Sequence, residues 1–176
     1  MRKTAFISSL LLGAIVLPLS GCGFTPMHAP SGFAGAQSAN LSQVRIEVSD
    51  GKDENDKEAG FYLLQRLQDR TGVNSGPYVL EVTPRWTRRR LGISADDVAS
   101  RYDGSVRADY KLIEAKTGNV LDRGRISATS TFGASRDAYG VIASNDAAMR
   151  NTAEEAADRL IIQLATYFST AEKLAE

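Results

Sequence analysis

Cysteine, histidine and tryptophan each occur once in this 176-residue chain, as Cys22, His28 and Trp86. A single cysteine rules out an internal disulfide and a thiolate metal cluster. His28 lies ahead of every patterned segment, so the folded part has no imidazole base and no metal site is expected. The G-x-S-x-G, Walker and H-E-x-x-H patterns are all missing. Asp96–Asp97 and Glu154–Glu155 are paired only as neighbours in sequence, and such neighbours diverge on a helix or stand solvated on a polar connection. No catalytic residue is therefore expected, and the chain does not read as an enzyme. Neither sign of charge dominates, with 21 basic and 21 acidic residues. Bulk charge thus predicts no polyanion partner, and the arginines lack an aromatic stacking array beyond Trp86, which argues against nucleic acid.

A long apolar run is also lacking, and the one short run has a different meaning. Arg2 and Lys3 precede Phe6 to Leu19, which is apolar apart from Ser8, Ser9, Gly13 and Pro18. A spanning helix needs about 20 apolar residues, so this segment reads instead as the basic and apolar regions of an export signal. Leu19-Ser20-Gly21-Cys22 resembles the bacterial lipobox, which sets cleavage before Cys22 and a diacylglyceryl group on its thiol, with N-acylation of the new terminus. Those lipids are the only non-protein groups expected, and no other cofactor is. Gly23 rather than aspartate after the cysteine favours the outer membrane under enteric-type sorting.

Residues 1–21 thus form the signal peptide, and 155 residues remain, the size of one domain. Residues 22–42 comprise the lipidated cysteine and a tether rich in Gly, Ala, Ser and Pro. As a flexible coil of about 20 residues it spans on the order of 25 Å.

The domain proper, 43–170, opens with Val44, Ile46 and Val48 alternating with polar residues, the pattern of a half-buried strand. Asn55 and Glu58 stand at capping-box spacing ahead of a helix lined by Ala59, Leu63 and Leu67, with Gly72 to stop it. Tyr78, Leu80, Val82 and Trp86 share one face of a second strand, which Pro84 marks as an edge or a bulge. Val106 to Leu112 and Val120 to Phe132 alternate about the turn residues Lys116 to Asn119 and predict a hairpin, with Arg88 to Asp103 as a polar connection before it. Met149, Ala153, Ala156, Leu160, Leu164 and Phe168 predict a final helix from about Asn145 to Phe168, capped by Ser144 or Asn145. Residues 171–176 read as a tail. The order β-α-β-β-β-α predicts an α+β two-layer sandwich in which two helices cover one face of a four-stranded, mainly antiparallel or mixed sheet.

Arg88, Arg89 and Arg90 follow Trp86 closely, with Arg101 after them and Arg136 in the next inter-element segment. Guanidinium forks bind phosphate bidentately, so these five arginines are candidates for a phosphorylated lipid headgroup. Alternating arginines on an edge strand also blunt edge-to-edge pairing, and the residues alone do not separate the two readings.

Four stretches carry a resemblance to a known family: Cys22 to Pro26, Ser100 to Leu112, Thr131 to Tyr139, and Asp146 to Phe168. In that order, behind a lipobox, they resemble the LptE family of lipopolysaccharide-assembly lipoproteins in its alphaproteobacterial form. The resemblance implies a non-enzymatic outer-membrane lipoprotein that plugs the LptD β-barrel, helps it assemble and assists lipopolysaccharide to the outer leaflet. It also implies that Arg101 and Arg136 approximate basic loop positions associated with lipopolysaccharide. The other reading is a free-standing envelope lipoprotein, facing the periplasm, that binds a lipid or anionic ligand.

Overall fold

The computed structural model describes residues 41–72, 76–93, 99–133 and 137–175. The leader, Cys22 and the tether to residue 40 lie outside them, as does Arg136. Strand β1 (Val44–Val48) is followed by helix α1 (Glu54–Thr71), strands β2 (Tyr78–Ile93), β3 (Ala99–Glu114) and β4 (Val120–Gly133), and helix α2 (Ala138–Ala175). The sheet runs in chain order, with β1 parallel to β2 and the other neighbours antiparallel. This is the expected mixed four-stranded sheet with two helices, and it is open rather than closed. Among the described residues no helix is long and apolar enough to cross a membrane.

Alternation sets the two faces. Leu80, Val82, Pro84 and Trp86 on β2, and Val106, Ala108, Tyr110 and Leu112 on β3, are buried under the helices. Beneath α1 they meet Ala59, Leu63 and Leu67, and beneath α2 they meet Met149, Ala153, Leu160, Leu164 and Phe168. Gly60 of α1 comes so near the sheet that a Cβ there would lie 3.0 Å from Pro84 Cγ. The odd-numbered residues of β2 and β3 face away from both helices.

Several boundaries differ from the sequence expectation. Helix α1 is capped by Asp53, whose Oδ1 accepts from the Asp56 amide at 2.9 Å, two residues before the predicted cap. Its end is as expected: Gly72 has φ 81° and its N–H reaches Gln68 O. Helix α2 starts at Ala138 rather than near Asn145, because the Asp137 carboxyl accepts from the amides of Tyr139 and Gly140. The helix also continues through the predicted tail to Ala175.

Pro84 is neither in an edge strand nor at a bulge. β2 lies inside the sheet, and the register shift falls at Leu112/Ile113. The proline is tolerated because β1 ends opposite Val82, so the imide nitrogen points to a stretch with no strand to receive it. Two residues on, the Trp86 N–H faces the same gap and donates to Asp56 Oδ1 at 2.7 Å. Asp56 is 2% exposed and also accepts from the Lys52 amide at 3.1 Å. A helix side chain thus takes the place of the missing strand.

Two aromatic rings on the helix face lie over glycines. A Cβ on Gly104 would sit 2.2 Å from the far edge of the Trp86 indole, and one on Gly124 would sit 2.9 Å from the Tyr110 ring. Burial first, and then its hydrogen bond to Asp122 at 3.0 Å, push the Tyr110 hydroxyl up to about 12. On the outer edge of β4, Arg159 of α2 donates to Ser127 O.

Across the helix seam, Arg66 donates to both oxygens of Asp158, at 3.0 and 2.7 Å, and Arg70 stands 3.4 Å away. The Arg66 hydrogen bond, reinforced by the charges of Arg66 and Arg70, holds the Asp158 carboxyl below its ordinary value of 3.8. A depressed acid stabilises the fold above its unfolded value, and that contribution is lost as pH falls through the folded value. Because the group is partly exposed, Asp158→Asn should cost only about 1 kcal/mol at neutral pH. It should also flatten the acid limb of a Tm-against-pH curve below about pH 4. An acid limb as steep as that of the unsubstituted chain would show that this bridge does not govern it.

Candidate functional site, the basic end of the sheet

β2 and β3 run far past the end of β1, and the segment expected to be a connection is mostly strand. Arg88↔Gly104, Arg89↔Asp103, Arg90↔Tyr102 and Leu91↔Arg101 are all register pairs. The hydrophobic alternation fades here because neither helix covers this end as it covers the middle, while the backbone ladder continues regardless.

A strand turns alternate residues to opposite faces, so the arginine run is split. Arg88 and Arg90 stand on the helix face, whereas Arg89 and Arg101 stand on the other. Arg88 lies over the Tyr102 ring, 5.1 Å from its centroid, and donates to Asn145 Oδ1 of α2 at 3.3 Å. Tyr102 in turn stacks on Phe132 at 5.6 Å between centroids. Arg88 is therefore held on an aromatic shelf formed by β3 and β4. Arg90 is exposed and has no hydrogen bond or ion pair among the described residues. The first turns of α2 add Tyr139 and Ile142, which are 84% and 67% exposed.

On the opposite face Arg89 Nη2 stands 3.2 Å from Asp103 Oδ2, while Thr131 Oγ1 donates to Asp103 Oδ1 at 2.7 Å. The Thr131 bond, then Arg89, holds Asp103 below the ordinary carboxylate value. Arg89 is thereby partly neutralised. Arg101 is exposed and, among the described residues, unpaired.

The antiparallel pairings of β2 with β3 and β3 with β4 make β2 and β4 parallel to each other. The β2–β3 connection and the β4–α2 connection consequently leave the sheet at one end, and Arg101 pairs directly with Gly133 at the close of β4. Arg88, Arg90 and Arg101 thus gather at one end of the domain, on two faces. Sequence reasoning missed the aromatic shelf, although Tyr102 and Phe132 follow the same even-numbered alternation as the core.

Chemically this end offers two free guanidinium groups, a third presented by an aromatic ring, and exposed apolar side chains beside them. That is a surface for an anionic group attached to an apolar body. Among the described residues no cluster of His, Cys, Asp and Glu is disposed to hold a metal ion.

A family model described as LptE, lipopolysaccharide-assembly, matches residues 43–164. A lipoprotein from Caulobacter crescentus is similar in structure, with 24% identity, a TM-score of 0.58, and 77% of this chain and 96% of that one covered. Rare lipoprotein B from Shewanella oneidensis is similar at 19% identity and TM-score 0.51, over 76% of this chain and 99% of that one. Lipoprotein B from Nitrosomonas europaea is similar at 14% identity and TM-score 0.54, over 72% and 83%. At these identities the three structures share the fold. No curated protein matches in sequence.

Proposed function

Because the chain belongs to the LptE lipopolysaccharide-assembly family, we propose that it is an outer-membrane lipoprotein that plugs and helps assemble the LptD β-barrel and assists lipopolysaccharide to the outer leaflet. Membership supports a role in assembly rather than catalysis. In this reading acyl chains on Cys22 hold the mature chain to the membrane, on the periplasmic side or within the barrel lumen. The barrel and lipopolysaccharide are its partners.

The observation that carries the lipopolysaccharide part is the gathering of Arg88, Arg90 and Arg101 at one end of the sheet, beside exposed Tyr139 and Ile142. Phosphorylated sugars with acyl chains present anionic and apolar groups together, and arginine suits the phosphates better than lysine because its fork is planar and bidentate. Arg89 contributes less, being engaged by Asp103. Arg136, in the neighbouring connection, is included as a candidate on sequence grounds alone.

Depletion tests the reading directly. Loss of the chain should reduce folded, heat-modifiable barrel and surface lipopolysaccharide together, several-fold each. A tag after Glu176 should recover one barrel per chain. Complementation with Arg88→Gln/Arg90→Gln/Arg101→Gln should restore the barrel but not the surface lipopolysaccharide. Recovery of a lipid-loaded monomer without any barrel would instead establish a free-standing lipid-binding lipoprotein. Normal barrel and lipopolysaccharide after clean deletion would overturn the proposal.

A further inference from the structure

The face of the sheet turned away from both helices has a feature that the arginine run at its end does not share. Arg85 on β2 and Arg107 on β3 are direct register partners, with Ser127 of β4 next in line. Side chains so placed stand about 5 Å apart at Cβ, and like charges directly opposite each other destabilise a sheet. Both arginines are exposed, and neither has an ion pair or hydrogen bond among the described residues. Two of the arginines beside them are matched. Arg125 pairs with Asp109 on one side, and Arg89 pairs with Asp103 on the other. Within a domain of nearly balanced charge, the centre of this face keeps two facing guanidinium groups uncompensated.

The surroundings describe what would compensate them. The arginine pair stands between two grooves, one of about 440 Å³ that includes Thr83, Asp109 and Arg125, and one of about 310 Å³ lined by Thr87, Arg89, Asp103, Ser105 and Thr129. Thr87, Ser105 and Thr129 form a row of hydroxyls across three strands. No apolar side chain interrupts the face from Thr83 to Thr87 or from Ser105 to Asp109, leaving nothing there to enter a bilayer. A dense phosphate array would meet Asp103, four residues before Arg107, and Asp109, two residues after it. A protein surface carrying a few carboxylates among polar side chains would not.

We propose that this helix-free face is a docking surface for a folded protein wall, and that Arg85 and Arg107 are its anchors, each receiving a carboxylate of that wall. The inference rests on the barrel reading above, in which the wall is the lumen of the barrel. It commits one face of the plug to the wall and leaves the basic end free for lipopolysaccharide.

Two measurements test it on the full-length lipoprotein expressed with its cognate barrel. A photoreactive benzophenone amino acid at Thr87 should crosslink to the barrel, and Arg85→Glu/Arg107→Glu should lower barrel recovery ten-fold or more, with Arg85→Lys/Arg107→Lys retaining most of it. In the isolated mature chain, Arg85→Gln/Arg107→Gln should raise Tm by about 1–2 °C by removing the repulsion, a gain that no merely structural role would give. An unchanged or lowered Tm would mean that the repulsion is already relieved within the domain, and would overturn the argument. So would crosslinking from Thr87 to lipopolysaccharide instead of protein. Crosslinking to the barrel from a probe at Phe61 but not at Thr87, with normal recovery of Arg85→Glu/Arg107→Glu, would overturn the face while leaving the plug reading intact. Failure of the unsubstituted chain to recover any barrel would overturn both.

Discussion

Gly104→Val should destabilise the isolated domain by about 3 kcal/mol or more, seen as a large fall in the urea midpoint with little change in slope. The cause is steric and local. Gly104 is buried on the helix face of β3, and a Cβ there would stand 2.2 Å from the Trp86 Cη2 atom and 2.9 Å from Cζ2. The indole is rigid and 7% exposed, so it can yield only by displacing the core around it. Two added methyl groups enlarge the clash. The partner test is Trp86→Leu, which loses aromatic packing but vacates the space above Gly104. In that background Gly104→Val should cost much less, giving a coupling of the sign expected for residues in contact. Equal costs in both backgrounds would show that the indole does not impose the glycine.

Asp56→Ala should cost about 2–3 kcal/mol, for a different reason. It leaves the Trp86 N–H facing the gap beyond β1 with no acceptor, and it releases the Lys52 amide as well. Asp56→Asn keeps one acceptor oxygen, which can serve the Trp86 amide, but turns an NH2 donor toward the Lys52 amide, so it should recover only part of the loss. The Cβ and backbone of Asp56 lie against Gly51, where an added Cβ would be 1.9 Å from the Asp56 Cβ, so Gly51 leaves the room this residue occupies. Native-state amide exchange gives the sharpest reading, because Trp86 should lose protection in Asp56→Ala while Val106 keeps it. Unaltered exchange at Trp86 would sink this account.

Much of the fold is legible from alternation. Val44 to Val48, Tyr78 to Trp86, the turn at Lys116 to Asn119 and the spacing of Met149 to Phe168 all specify elements that the structure contains. What alternation reports, however, is burial. From Arg88 to Leu91 on β2 and from Arg101 to Gly104 on β3 both faces are largely polar, so the pattern disappears although the two strands pair residue for residue there. The same limit applies to helix starts. Ala138 to Ser144 carries no clear polar face, and the cap is Asp137, a residue just before a stretch rich in small side chains.

The candidate site was legible in composition and not in geometry. Arg88, Arg89 and Arg90 look like one cluster in sequence, yet period-two geometry sends the middle one to the opposite face, where Asp103 holds it. The parallel course of β2 and β4, which brings Arg101 to the end where β4 closes, follows from an unbroken run of two antiparallel pairings. Asp56 and Gly104 left weaker traces. An isolated glycine within a strand signals close approach of another group, but nothing nearby in sequence names Trp86 as that group. Asp56 reads as one more acid at a helix start until β1 is seen to end at Val48, opposite Val82.

The outer edge of β4 bears on the life of the chain before any partner is met. Among the described residues no strand lies beside the backbone groups on the outer edge of the fourteen-residue β4, the kind of template on which copies of a protein stack into insoluble sheets. Arg159 occupies one of those carbonyls, at Ser127, from a helix that is part of the core. A second molecule must therefore dislodge a charged side chain before it can add a strand, and would bring its own Arg123 and Arg125 against this one's. A residue in the last helix, remote in sequence from the strand it guards, thus works against such stacking.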